Sequence, residues 1–389
     1  MPRLTVVHAA KFYPPARGGM ETVVAELCGG TAGDWDVSVV AANDAPRTIE
    51  ERVGAVDVVR AAAFGTVASV PLCPTYPTHL WRRRSDCVVL HEPNPIAGAA
   101  LFLRLPASRL IVWHHSDLLR PFWAPPTYGR VQRALYRRAE CVIVSSPRLA
   151  ENSPLLQSAR RVVVIPFGVP VERFRTLTER QRTICDRLKA SIPGPRVLFV
   201  GRFVYYKGAD VLVDAVAQSG GSLVLVGEGP LEPELRQRAA AEGIADRVHF
   251  VGRVSDGDLP AYYHAADVFA LPSVAKTEAF GVVQVEAMAS GVPVVSTDLP
   301  TGVPWVNQDG VSGLVVPPAD PVRLAAALRR LASDPDLRSR LARGAAARAA
   351  AVFSLDRMVS SFKDVVERAV HSPEAITDSR EARAGASRA

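Results

Sequence analysis

Lysine is scarce in this chain: only five of its 46 basic side chains are Lys (Lys11, Lys189, Lys207, Lys276 and Lys363), and the rest are Arg. A bias of that kind carries little functional weight. Cysteine is scarce too. The five Cys, at 28, 73, 87, 141 and 185, are odd in number and none are spaced C-x-x-C. That argues against a disulfide framework or a zinc site and for a reducing compartment. No segment reaches ~18 uninterrupted apolar residues, so no transmembrane helix is expected. The opening "MPRLTVVHAAKFYPP" lacks a long apolar core, so no signal peptide is expected either. The expected location is the cytoplasm, with contact at the inner face of the cell membrane as an open addition.

Several nucleotide motifs are missing. There is no G-x-x-x-x-G-K-[ST], which excludes a P-loop ATPase. "VGEGPLEPEL" (226–235) contains a G-x-G, but Glu232 stands where a dinucleotide fingerprint needs its third glycine. The first strand is also followed too late by Gly18-Gly19, which counts against an NAD enzyme. No basic run is interleaved with stacking aromatics, so nucleic acid is not an expected partner.

What is present fits a globular protein of two domains: 389 residues, 48% hydrophobic and 22% charged. The net charge of +7 suits anionic lipid or a phosphate-bearing substrate. Apolar runs at 4–9, 87–90, 109–113, 141–145 and 161–166 read as buried parallel strands, with helical segments at 19–29, 95–104 and 128–139 between them. The polar stretch 166–195 breaks this rhythm and reads as a domain junction. A second series follows, with strands at 196–201, 222–227, 247–252, 267–273, 292–297 and 312–318. Helices are expected near 320–332, 335–350 and 354–370. The expected fold class is α/β, two doubly wound Rossmann-like domains facing each other across a cleft. The expected divisions are 1–180, 181–352, a helix at 353–370 crossing back, and a disordered tail at 371–389.

Candidate site residues gather at expected strand ends. "VGRFVYYKGAD" (200–210) sets Arg202 after a strand and Lys207 before a helix. Two such cations neutralise a diphosphate or form a solvated basic loop. "ARGGMETVVAEL" (16–27) opens a helix with bare glycine amides that face an anion or make a flexible turn. "WHHSDLL" (113–119) sets two His after a strand, where adjacent side chains diverge, so a shared metal is doubtful. The Asp pairs of "DWD" (34–36) and "DGD" (256–258) suit a turn and a helix cap, at Asp258, better than a metal.

"TEAFGVVQVEAMASGVPVVSTD" (277–298) is the most pointed segment. Glu278 precedes a helix expected from Gly281, and Glu286 lies inside it. The amides of Phe280, Gly281 and Val282 lie between the two acids, at the positive end of a helix dipole. An acid, a row of amides and a second acid suit a ligand with hydroxyls at both ends and a phosphate between, which is the layout of a nucleoside diphosphate sugar. Complementing the dipole alone would explain Glu278 but not Glu286.

"EAFGVVQVEAMASGVPVVST", "GRFVYYKG", "VGEGPL", "VHFVGRVSDGDLPAYYHAADVFALPS" and "GGME" together resemble the retaining glycosyltransferases of the GT-B fold, in the large fourth sequence family, over roughly residues 3 to 365. The resemblance implies that Arg202 and Lys207 bind the donor diphosphate, Glu286 the ribose, and Glu278 the transferred sugar beside the amides of Phe280, Gly281 and Val282. Gly252 and Arg253 would lie near the base, and Gly18 and Gly19 would close over the phosphates. His115 matches the family's active-site histidine. "HEPNPIAG", "WHHSDLLRPF" and "VSSPRLAENSPLL" are similar to bacterial mannosyltransferases of polysaccharide assembly, although Trp113-His114 departs from the commoner His-Trp order.

The expected activity is metal-independent transfer of a hexose, with mannose as candidate, from a nucleotide sugar such as GDP-mannose to a glycan or lipid-linked acceptor. No separate cofactor or metal is expected. The alternatives are a sugar-nucleotide epimerase or phosphorylase on the same fold, or an inactive nucleotide-sugar-binding subunit. Basic residues at 82–84, 130, 133, 137 and 138 fit an anionic membrane surface or a solvated helix face.

Overall fold

Residues 3–16, 18–67, 70–117 and 124–380 are described by a computed structural model, with backbone alone at 124–127. The chain divides into two compact units, 1–167 with 356–389, and 168–355. The first break falls ahead of the expected 180, because 168–195 builds into the second unit.

In the first unit the elements are β1 (Thr5–Ala9), α1 (Gly19–Thr31), β2 (Asp36–Ala42), β3 (Ile49–Val53), β4 (Val56–Ala61), β5 (Thr66–Val67) and β6 (Val70–Pro71). Then come α2 (Tyr76–Arg82), β7 (Ser85–Glu92), α3 (Pro95–Leu103), β8 (Ala107–His114), α4 (Ala124–Arg138), β9 (Cys141–Val144), α5 (Pro147–Asn152) and β10 (Val162–Val164). Eight strands form one sheet in the order β10-β9-β8-β7-β1-β2-β4-β3, parallel except for the β3–β4 pair. The central strands are near-continuous Val, Leu and Ile because both sheet faces are covered, as in other parallel sheets. The order reverses between β1 and β7. That reversal is a topological switch point, where the loops leaving the strand ends diverge to opposite faces.

The second unit contains α6 (Val171–Arg175), α7 (Glu179–Ser191), β11 (Arg196–Val200), α8 (Ala209–Ser219), β12 (Ser222–Val226), α9 (Glu232–Ala241), β13 (Val248–Gly252), α10 (Leu259–Ala265) and β14 (Val268–Leu271). It continues with α11 (Val282–Ala289), β15 (Val294–Thr297), α12 (Val303–Val306), β16 (Gly313–Val316), α13 (Pro321–Ser333) and α14 (Pro335–Val352). Its six parallel strands run β13-β12-β11-β14-β15-β16, with the switch point between β11 and β14. The supposed junction is therefore more structured than its polarity suggests. Thr178 and Gln181 form a reciprocal capping box that starts α7. Cys185 on α7 packs with Ala261 and Ala265 of α10.

The last helix, α15 (Leu355–His371), returns the chain to the first unit. Phe362 on it is fully buried against Trp113, at a ring separation of 5.6 Å. The expected disordered tail is corrected over 371–380. Asp378 and Ser379 accept hydrogen bonds from the Val162 and Val164 amides of edge strand β10, at 3.4 and 3.2 Å. Arg380 donates to the carbonyls of Leu156, Ala159 and Arg160. The tail lacks apolar periodicity because it satisfies a strand edge with polar groups instead of burying a face. Residues 381–389 lie outside the described residues. Among the described residues, no helix is long and apolar enough to cross a membrane.

Candidate active site

The switch point of the second unit carries the main cluster. The loop after β11 brings Lys207, and the loop after β14 brings Glu278. Lys207 Nζ lies 2.5 Å from Glu278 Oε2, both side chains about nine-tenths buried. Ser273 donates to the same oxygen at 3.2 Å, and its own carbonyl accepts from Thr297 at 2.6 Å. Lys207 also lies 5.6 Å from the Tyr206 ring centroid. The two loops touch because residue 208 is Gly. Its φ of 67° is left-handed, and a Cβ there would overlap the Pro272 carbonyl.

Lys207 has three N–H donors and uses one on Glu278. Glu278 Oε1 accepts no hydrogen bond from the described residues, so the pair retains donors and an acceptor for a polar ligand. Arg202, in the same β11 loop, is exposed and makes no ion pair with a described residue.

Glu278 lies before α11 and Glu286 within it. Gly281 is the N-cap, at φ 73°, and the first amides of the helix have no intrahelical acceptor. The Phe280 ring is core, edge-on to Phe353 at 5.9 Å, so its side chain does not serve a polar ligand. Glu286 is partly buried, and Tyr263 of α10 donates to its Oε2 at 2.7 Å. Burial raises the Glu286 carboxyl above the usual range, against the lowering effect of Tyr263 and the nearby charge of Arg173.

Gly252 ends β13 at φ 74°, and Arg253 beside it pairs with Glu228 at 2.7 Å on an exposed surface. Among the described residues, no hydrogen bond or ion pair links this pair to the Lys207–Glu278 cluster. The G-x-G at 227–229 serves close backbone approach: a Cβ on Gly227 would overlap the Gly201 carbonyl, and one on Gly229 the Phe203 carbonyl. Asp258 occupies the expected cap position of α10, but its side chain does not cap. It instead takes a two-point bond from Arg180 at 2.8 and 3.0 Å, which outcompetes the helix amides and lowers the carboxyl's pKa.

The remaining candidates lie in the first unit. Gly18 is the extended N-cap of α1 and Gly19 its first residue. His114 and His115 diverge as expected: His114 Nδ1 meets Tyr136 Oη at 2.7 Å, whereas His115 Nε2 meets His91 Nδ1 at 3.0 Å. His91 Nε2 in turn meets His8 Nδ1 at 2.9 Å. The sequence reasoning missed this chain, and it also missed Glu92. Glu92 is fully buried and accepts hydrogen bonds from Tyr128 at 2.6 Å, the Asn94 amide at 2.9 Å and Gln132 at 3.3 Å. Burial raises its carboxyl pKa. The available signal was a polar residue inside an otherwise apolar strand: His8 in "LTVVHA", and His91-Glu92 at the end of β7.

Comparison with known proteins agrees with this architecture. The profile described as "Glycosyl transferases group 1" matches residues 186–348, and "Glycosyl transferase 4-like domain" matches 18–168. O-antigen chain mannosyltransferase C of Escherichia coli is 28% identical, covering 92% of this chain and 97% of that protein. D-rhamnosyltransferase WbpZ of Pseudomonas aeruginosa is 31% identical, covering 90% and 92%. A GDP-mannose-dependent alpha-(1-6)-phosphatidylinositol monomannoside mannosyltransferase of Mycobacterium tuberculosis is 30% identical, covering 86% and 90%. Among solved structures, a sucrose-phosphate synthase from Thermosynechococcus elongatus superposes with a TM-score of 0.78 at 24% identity, covering 94% of this chain and 99% of that one. The fold is of the two-domain GT-B class. The chain belongs to the group 1 glycosyl transferases, and it is a glycosyltransferase.

Proposed function

We propose that this enzyme transfers a hexose, with mannose as the candidate, from a nucleoside diphosphate sugar to a hydroxyl of a glycan or lipid-linked acceptor, with retention at the anomeric carbon. The observation that carries the reading is the Lys207–Glu278 pair at the switch point of the second unit, beside the N-terminus of α11. In open α/β sheets ligands bind at that position. Arg202 and the two unused Lys207 donors meet the diphosphate, and the Gly281 and Val282 amides add positive potential. Glu278 Oε1 takes hydroxyls of the sugar and Glu286 those of the ribose. GDP-mannose is the first donor to test, because one of the relatives is named for dependence on it.

Chemically, the leaving diphosphate develops charge as the glycosidic bond breaks. Fixed cations and amides stabilise that charge without reorganising. Glu278 is held by Lys207 and Ser273, which suits gripping the sugar more than attacking carbon. The acceptor hydroxyl then enters on the face from which the diphosphate departs. Arg202 and Lys207 supply the charge that a divalent metal would otherwise supply, so turnover should survive chelation. His115, which matches the active-site histidine of the family, is the candidate catalytic residue of the first unit. The exposed Arg130, Arg133 and Arg137 share one face of α4 and suit an anionic lipid surface near a lipid-linked acceptor.

The test is nucleotide release from GDP-, UDP- and ADP-sugars, with and without a chelator, together with the anomeric configuration of the product. Release from GDP-mannose in chelator, with retention, supports the reading. Interconversion of the sugar while still attached to nucleotide would replace it with an epimerase. Tight binding without turnover across an acceptor panel would replace it with a binding subunit.

A further inference from the structure

At the switch point of the first unit, β1 and β7 carry His8 and His91 side by side, and His115 follows β8. The three imidazoles form a line, His8 Nδ1···Nε2 His91 at 2.9 Å and His91 Nδ1···Nε2 His115 at 3.0 Å. They are 0%, 0% and 4% exposed. Trp113 stacks on His91 and His115, Phe167 stacks on His115, and Phe362 of α15 tilts over His8. Among the described residues, no charged side chain forms an ion pair or hydrogen bond with the three rings, and His114, the neighbour of His115, turns away to Tyr136. The outer nitrogens, His8 Nε2 and His115 Nδ1, are buried and have no partner among the described residues.

We propose that His8, His91 and His115 act as one tautomeric unit, which ties the hydrogen-bonding character of His115 Nδ1 to the protonation of His8. A neutral imidazole carries one N–H and one lone pair. If His8 donates from Nδ1, His91 must accept at Nε2 and so carry its proton on Nδ1. It then donates to His115 Nε2, whose proton is forced onto Nδ1. In the opposite register all three protons sit on Nε2, and His115 Nδ1 is a lone pair. Mixed registers break a buried hydrogen bond, which is costly. The three rings are neutral because burial pushes His8 and His115 down to about 3 and His91 well below its ordinary value. Exchange between registers therefore needs a proton to leave at one end and another to enter at the other. A ligand oxygen that only accepts selects the Nδ1–H register throughout. A hydroxyl that donates selects the other.

His8 and His91 are positioning residues on this view. The catalytic consequence rests on the proposed catalytic role of His115, whereas the coupling itself does not. The direct test is nitrogen-15 NMR of the wild-type protein labelled at histidine, at neutral pH. Scalar couplings across the two N–H···N bonds should link the three rings in series, and all three should show the same tautomer. One ring in the opposite tautomer, or an imidazolium among the three, would overturn the proposal whatever the enzyme does. His91→Phe should free the His115 tautomer from that of His8, and His8→Phe should leave the His91–His115 pair coupled. If His115 is catalytic, His91→Phe should also lower kcat by roughly ten- to a hundredfold at nearly constant KM. Coupled tautomers in the wild type, with unchanged kcat in a folded His91→Phe, would keep the tautomeric unit and discard only the catalytic role of His115.

Discussion

Lys207 Nζ and Glu278 Oε2 are 2.5 Å apart across the β11–β14 switch point, and each belongs to a different βα loop. The pair fastens the two loops that border the candidate donor site. A largely buried pair loses most when only one partner is removed, since the remaining charge is stranded. Lys207→Met should therefore lower unfolding free energy by about 3 kcal/mol. Combining it with Glu278→Gln should lose less than the sum of the single changes. Urea denaturation of the four proteins checks this, and strict additivity would show that the two groups do not interact in solution.

Gly208 and Gly243 have nearly the same φ, 67° and 68°, but only Gly208 faces a neighbouring carbonyl. Replacement of Gly243 by Ala should cost about 1 kcal/mol, the strain of a left-handed residue. Gly208→Ala should cost more and also weaken nucleotide binding, because the β11 loop must move away from Pro272. Equal costs would mean that the loop contact is soft. Thermal melts of the two variants give the comparison.

The buried histidines make a signed prediction about acid. In the unfolded chain His8, His91 and His115 take up protons near pH 6.5, whereas in the fold they stay neutral far below it. The unfolded state therefore binds more protons in that window, and stability falls as pH drops from 6.5 toward about 3. Each such histidine contributes up to about 1.4 kcal/mol per pH unit. Glu92 and Glu286 act in the opposite sense, since burial raises their pKa values in the fold. His8→Phe should flatten the stability–pH profile below pH 6.5, in urea titrations at stepped pH. A profile as steep as wild type would place His8 in contact with solvent.

Much of this was legible in the residues. The Val-rich runs announced the strands, because in a doubly covered parallel sheet burial shows as continuous apolar sequence. The Lys207 loop and the Glu278–Glu286 segment stood out as charges set among small and apolar neighbours. What was hidden depends on partners distant in sequence. His8 and His91 are 83 positions apart, and only the β1–β7 pairing makes them neighbours. Asp378 lies 216 positions from the strand amide that it satisfies, so its segment read as disorder. The capping box of α7 was readable locally, but Pro and Gly at both ends of 166–195 drew attention to breaks instead.

The polar tail gives a further expectation. Removing residues 372–389 exposes the edge of β10 and strips Arg380 from three carbonyls. The truncated protein should melt several degrees lower and exchange the Val162 and Val164 amide protons faster, by hydrogen-exchange mass spectrometry. Unchanged exchange there would show that the tail contact does not persist in solution.

The most direct test of the donor site is calorimetric titration of GDP-mannose into wild type and into the double variant Arg202→Met with Glu286→Gln. Arg202 is exposed and Glu286 has a neutral isostere, so the variant should fold with a wild-type melt. The account predicts that its affinity falls by roughly a hundredfold or more, the loss of hydrogen bonds to charged groups at both the diphosphate and the ribose. A folded variant that binds as tightly as wild type would contradict it.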